Sequence, residues 1–242
     1  MSRTEDTDED VHKHSGWLIP LGVFLVIFAL SAMFLLFYLA PTPPALFQEQ
    51  VSPTSRSDVI ELSVHGLKLA IPANYLQYER ARQGGERKEI ALFALLPDMS
   101  GWSNWEAQSF SDNAADSSVI FLLIREQEMN LSEADRLERI YLAYVVDPRG
   151  SPGPFDLTQY VFRDDSGYHH EDLFVGQTAS GPKVLRCVRF SPEVPSPSCL
   201  RDMPLGHSVA LSYRFKRAHL AQWREIGEGV DKLIAGFEKR PK

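Results

Sequence analysis

Four consecutive side chains, His169-His170-Glu171-Asp172, are the residues of this chain best equipped for chemistry. Imidazoles and carboxylates ligate metals and exchange protons near neutral pH. On a strand, though, neighbouring residues point to opposite faces, so an ion could be shared only by His169 with Glu171 or by His170 with Asp172. A full ligand shell would need partners from elsewhere, and His207 and Asp202 are the candidates, because their segment follows the second cysteine. A solvated charge patch beside a turn explains the same residues with fewer assumptions, so neither a metal nor a cofactor is expected. His12 and His14, in an acidic tail, are weaker candidates.

The two cysteines, Cys187 and Cys199, flank a segment containing Pro192, Pro195 and Pro197. Arg186 to Phe190 alternates like a strand, and the chain resumes at Cys199, so a strand, a loop and a return strand joined by a disulfide are expected. Such a bridge persists in an oxidising compartment; the competing reading is two free, buried thiols. Their spacing is not Cys-x-x-Cys, and two cysteines alone cannot build a structural zinc site. Trp102 and Trp105 sit in the turn-rich run Asp98 to Trp105. They are either a partner surface or rings folded back into the core, and the second reading is favoured because tryptophan is highly buried on average.

Catalytic signatures are sparse. The sequence has no Walker loop, dinucleotide fingerprint, zincin helix or EF-hand loop. Gly101-Trp102-Ser103 begins like a nucleophile elbow, but Trp105 stands where the closing glycine belongs. Gly227-Glu228-Gly229 falls inside an amphipathic pattern rather than after a strand, so it is not a phosphate loop. The net charge of −7, with acids and bases interspersed, leaves no basic field for nucleic acid.

The elements that must position these residues begin with a membrane anchor. Trp17 to Ala40 carries no charge over 24 residues, a helix of roughly 36 Å against a hydrocarbon core of about 30 Å. Trp17 and Tyr38 mark its ends at the depth where aromatic rings prefer to sit. The preceding tail, residues 1–16, has five acids against Arg3 and Lys13, unlike a secretory n-region, and the apolar run passes straight through Ala29-Leu30-Ser31. An uncleaved span in contact with the lipid bilayer is expected. Arg3 and Lys13 favour a cytoplasmic N-terminus. Residues 41–57 read as a linker, stiff at Pro41 to Pro44 and flexible from Ser52 to Ser57.

Residues 58–242 then form one exported domain. Alternation predicts a hairpin of Ile60–Val64 and Leu67–Ile71 turning at His65-Gly66, and strands at Ile90–Leu96, Val119–Ile124, Phe155–Phe162, Tyr168–Val175, Val184–Phe190 and Ser208–Phe215. Ser132 with Asp135 opens a helix in capping-box style that continues through Tyr144, and Asn130 begins a glycosylation sequon. Leu220, Trp223, Ile226, Val230, Leu233, Ile234 and Phe237 line one face of a final helix. The class is α+β: a mainly antiparallel sheet of six to eight strands, a middle helix and a C-terminal helix packed across the sheet.

These features point first to a non-catalytic accessory protein of a bacterial inner membrane, an assembly factor or complex subunit whose periplasmic domain binds a protein partner in the envelope. A periplasmic inhibitor of immunity type is the alternative. An envelope hydrolase or metal-dependent enzyme built on His169 to Asp172 comes last.

Overall fold

The computed structural model describes residues 16–39, 49–128 and 131–238. The tail with His12 and His14, the prolines Pro41 to Pro44 and the sequon residue Asn130 lie outside that set. The chain divides into two compact units, Met1–Glu49 and Gln50–Lys242.

The first unit contains helix α1, Leu18–Leu39. Within it Ile19–Tyr38 is long and apolar enough to cross a membrane, with none of its hydropathy window buried. A helix that is apolar all round suits a lipid solvent, which makes no distinction between its faces.

The second unit is α+β, as the alternation predicts. Strands β1 (Val59–Val64) and β2 (Leu67–Pro72) form the expected hairpin. His65 and Gly66 both have positive φ, 45° and 83°, which a two-residue type I′ turn requires. The short β3 (Gly85–Glu86) adds to β1 in parallel. This small sheet is separate from the main one, which a reading of local patterns does not reveal.

The main sheet has eight strands: β4 (Glu89–Leu95), β5 (Val119–Glu126), β6 (Ser151–Pro152), β7 (Thr158–Val161), β8 (Glu171–Thr178), β9 (Gly181–Val188), β10 (Ser198–Pro204) and β11 (Val209–Lys216). Their order is β4-β5-β11-β10-β9-β8-β7-β6, antiparallel at every junction. Helices α2 (Ala107–Ser111) and α3 (Glu133–Arg139) precede the long C-terminal α4 (Trp223–Phe237).

Period-two alternation sends Ile90 and Leu92, Ile120 and Leu122, and Leu211 and Phe215 into one core with the hairpin's Leu62, Leu69 and Ile71. The stripe of α4, from Trp223 through Ile226, Val230 and Ile234 to Phe237, completes that core. Burying each of these large side chains contributes about 1.5–3 kcal/mol. Leu173, Val175 and Val184 face the opposite way, into a second cluster with Tyr141, Val145 and Phe162.

Several boundaries differ from expectation, each for a local reason. Phe155 and Asp156 adopt positive φ, 56° and 59°, so β7 starts only at Thr158. Backbone bonds Ser166 N to Arg163 O, His169 N to Ser166 O and Glu171 N to Tyr168 O hold residues 163–170 in turns, so β8 begins at Glu171 rather than Tyr168. Helix α3 is capped as read, Ser132 Oγ accepting from Asp135 N at 3.0 Å, but it ends at Arg139 and gives way to a 3-10 turn, Tyr141–Tyr144. The segment read as flexible near Ser52 is held to the domain by Ser52 N donating to Gln77 O at 2.9 Å.

Candidate functional site

The four-residue cluster does not converge on a point. His169 and His170 lie in the turn before β8, with ring centroids 3.8 Å apart and His169 Nδ1 2.9 Å from Ser166 O. Glu171 opens β8 on one face and accepts from Arg186 Nη1 at 2.9 Å. Asp172, on the other face and buried, accepts from Arg189 Nε at 2.8 Å and Arg217 Nη2 at 2.6 Å. Both carboxylates are thereby neutralised by guanidinium groups, an arrangement that ties strands together and leaves little ligand capacity. His207 is exposed and Asp202 is engaged by Arg186 at 3.6 Å and by Ser212 Oγ. Among the described residues no group of three or more histidines, cysteines or acids could hold a metal ion.

Cys187 and Cys199 are directly opposed across β9 and β10, fully buried, with their sulfurs at bonding distance. The tryptophans part company. Trp102 packs against Phe93, Leu95 and Val119, while Trp105 is 97% exposed.

The unusual chemistry lies where strands β9 and β10 separate. Their pairing is confined to Leu185–Cys187 against Cys199–Arg201, and the side chain of Glu133, from the first turn of α3, reaches the strand backbone beyond it. Glu133 accepts from Val184 N at 2.9 Å and takes a two-pronged contact from Arg201, Nε at 2.9 Å and Nη2 at 2.8 Å. Arg201 has only 2% of its side chain exposed, and its Nη1 donates to the Tyr213 hydroxyl at 3.0 Å. Burial disfavours the charged guanidinium, but the bonds to Glu133 and the contact with Tyr213 outweigh it and hold the proton more tightly than usual. Burial likewise pushes the Tyr213 hydroxyl up, so it stays protonated.

This pair lies at the floor of a cleft of about 350 Å³. Its walls are the β8–β9 turn, Gln177 to Ser180, and the first two turns of α4. Trp223 packs so close to Gly176 that a Cβ there would overlap the outer edge of its indole ring. Lys183 and Arg224 add cations, and Glu228 and Asp231 stand exposed on α4 at the mouth. Over the floor α4 carries Gly227, where a Cβ would come within 3.3 Å of Arg201 Nη1 and 3.5 Å of the Tyr213 oxygen. The two hydroxyls of the wall, Thr178 and Ser180, bond each other at 3.1 Å. This arrangement is suited to holding a polar group.

Sequence reasoning missed this site because its parts come from five separate segments. Arg201 and Glu133 are 68 residues apart, and Tyr213 reads simply as one more inward residue of an alternating strand. Gly227 was the available signal. A glycine inside a helix costs about 1 kcal/mol relative to alanine, and here it keeps backbone close to two polar side chains.

No family model matches the chain, and no curated sequence matches it. Among solved structures it is similar to an immunity protein of the Stenotrophomonas maltophilia type IV secretion system, at 16% identity and a TM-score of 0.54. The likeness covers 76% of this chain and 94% of that one. At this identity it is a likeness of fold.

Proposed function

We propose that this chain is a membrane-tethered binding protein of the immunity type, whose exported domain captures a toxic protein partner beside the bilayer and blocks it. The observation that carries the reading is the fold shared with a secretion-system immunity protein over nearly all of that protein's length. Three further features agree with it. Helix α1 supplies a tether by length and composition; Arg3 and Lys13 favour a cytoplasmic N-terminus; and the opposed cysteines suit an oxidising compartment such as a bacterial periplasm. The broader role, an envelope accessory protein that binds another protein, contains this narrower one. An enzyme centred on His169 to Asp172 is disfavoured because Arg186, Arg189 and Arg217 occupy its carboxylates.

The test is a contact-killing assay. A strain lacking the chain should lose viability when mixed with its parent, regain it when the chain is supplied in trans, and survive beside a parent whose secretion apparatus is disabled. Equal survival of deletion strain and parent in all three mixtures would remove the proposal.

A further inference from the structure

The cleft over Arg201 presents hydrogen-bond donors at its floor and acids at its mouth, and that polarity specifies a ligand. A tyrosine hydroxyl has one proton to give, and a guanidinium has five N–H groups. Tyr213 accepts from Arg201 and keeps its own proton for donation. Arg201 spends Nε, one N–H of Nη2 and one of Nη1 on Glu133 and Tyr213, leaving one on each terminal nitrogen. The two side chains are at most 2% exposed, so donors at this depth are costly to leave without an acceptor. Lys183 Nζ, 3.9 Å from Glu133, lies on the same side.

We infer that this cleft binds a carboxylate that carries a positively charged group behind it, with the carboxylate on the Tyr213 and Arg201 donors and the cation facing Glu228 and Asp231. Arg224 at the same mouth is drawn to Asp156 at 3.4 Å, so Glu228 and Asp231 set the sign there and argue against a dianion such as phosphate. They favour a ligand of zwitterionic character. Gly227 is the feature that keeps α4 from crowding the floor: a Cβ there would stand 3.3 Å from Arg201 Nη1 and 3.5 Å from the Tyr213 oxygen. The volume, about 350 Å³, suits one or two amino-acid residues and falls at the small end of ligand sites.

Two sources offer this chemistry. One is an acidic side chain or chain terminus of the captured protein, next to a basic residue; this source rests on the function proposed above. The other is a free amino acid or short peptide.

The experiment uses the full chain in detergent, with the Trp223 indole N–H, which donates to Phe155 O at 3.1 Å, observed by NMR. The probes are alanyl-alanine, acetyl-alanine, alaninamide and inorganic phosphate. Alanyl-alanine should shift the resonance saturably and acetyl-alanine should do so more weakly; alaninamide and phosphate should leave it in place. Gly227→Ala, with its melting temperature read beside the binding because its Cβ would approach Arg201 Nη1 to 3.3 Å, should weaken alanyl-alanine binding at least tenfold, and Tyr213→Phe should weaken it as well. Saturation by phosphate, equal binding to Gly227→Ala, or no saturation by alanyl-alanine would each overturn the inference. The killing assay then separates the sources. Loss of protection by Gly227→Ala assigns the carboxylate to the captured protein, and retained protection with lost probe binding assigns it to a free small molecule. Failure of the unaltered chain to protect would remove the proposed function while leaving the probe result intact.

Discussion

Glu133→Gln is the most informative perturbation of this domain. In the native chain the carboxylate accepts three bonds, two from Arg201 and one from Val184 N, all between 2.8 and 2.9 Å. Glutamine preserves the shape and keeps one acceptor oxygen for the Val184 amide, but it turns an NH2 group toward a guanidinium that is 2% exposed. Removing one charge of a buried pair costs about 3–5 kcal/mol, because the partner is left uncompensated. The retained Val184 bond places this variant at the low end, about 3 kcal/mol. For a domain of this size each kcal/mol lowers the melting temperature by roughly 2–4 °C, so a fall of about 6–12 °C is expected. Arg201→Met added to Glu133→Gln should restore most of it, since no buried charge then remains, and the double variant should lie within about 1 kcal/mol of the native chain. The assay is urea unfolding of the native chain, the two single variants and the double variant, followed by tryptophan fluorescence. If Glu133→Gln costs less than about 1 kcal/mol, or if the two substitutions merely add, the pair is not a coupled buried ion pair and the account of the floor is wrong.

Other outcomes follow from the same structure. Trp105→Ala should change stability by no more than about 0.5 kcal/mol, as for exposed sites generally, whereas Trp102→Ala should cost about 2 kcal/mol or more by opening space beside Phe93 and Val119; urea midpoints decide between them. Denatured protein taken from the envelope should accept no thiol label at Cys187 or Cys199 until reduced, and reduction should lower stability by about 3 kcal/mol for a loop of this length. Labelling without reductant would refute the bridge. Burial raises the hydroxyls of Tyr75, Tyr141 and Tyr213 above their ordinary value of 10.0. Since the unfolded chain then loses protons first, stability should hold below about pH 10 and fall as pH rises through the folded values. Urea midpoints that stay constant as pH rises past 10 would contradict that.

What could be read from the sequence was whatever repeats locally. Ile120, Leu122 and Ile124 announce a strand by period two, the α4 stripe announces a helix by period 3.6, and Ser132 with Asp135 marks a helix start at the residue where the cap occurs. Pairings across long separations left no such trace. Nothing near Arg201 indicates that its counter-ion is Glu133, and in an alternating strand a charged residue reads as outward-facing although Arg201 points inward. His169 and His170 looked like strand residues because the turn that removes them depends on backbone bonds to Arg163 and Ser166. Trp102 and Trp105 are three residues apart with the same chemistry; only tertiary packing decides that the first is sheltered and the second bare.

The position of β11 governs when this domain can exist. It lies between β5 and β10, pairing Val209 with Glu126 and Ser198 with Lys216, yet it is the last strand made. A polypeptide emerging N-terminus first therefore holds β4 and β5 without their central neighbour, with Ile90, Leu92, Ile120 and Leu122 covered at most by the β1–β2 hairpin, until residue 216 has arrived and α4 can follow. Such long-range closure is slow, and a half-built apolar sheet is prone to aggregate. If the domain is delivered across a membrane, as proposed above, β11 and α4 must follow quickly or a chaperone must shelter β4 and β5, and any truncation ahead of α4 should yield a chain that is degraded rather than one that works weakly.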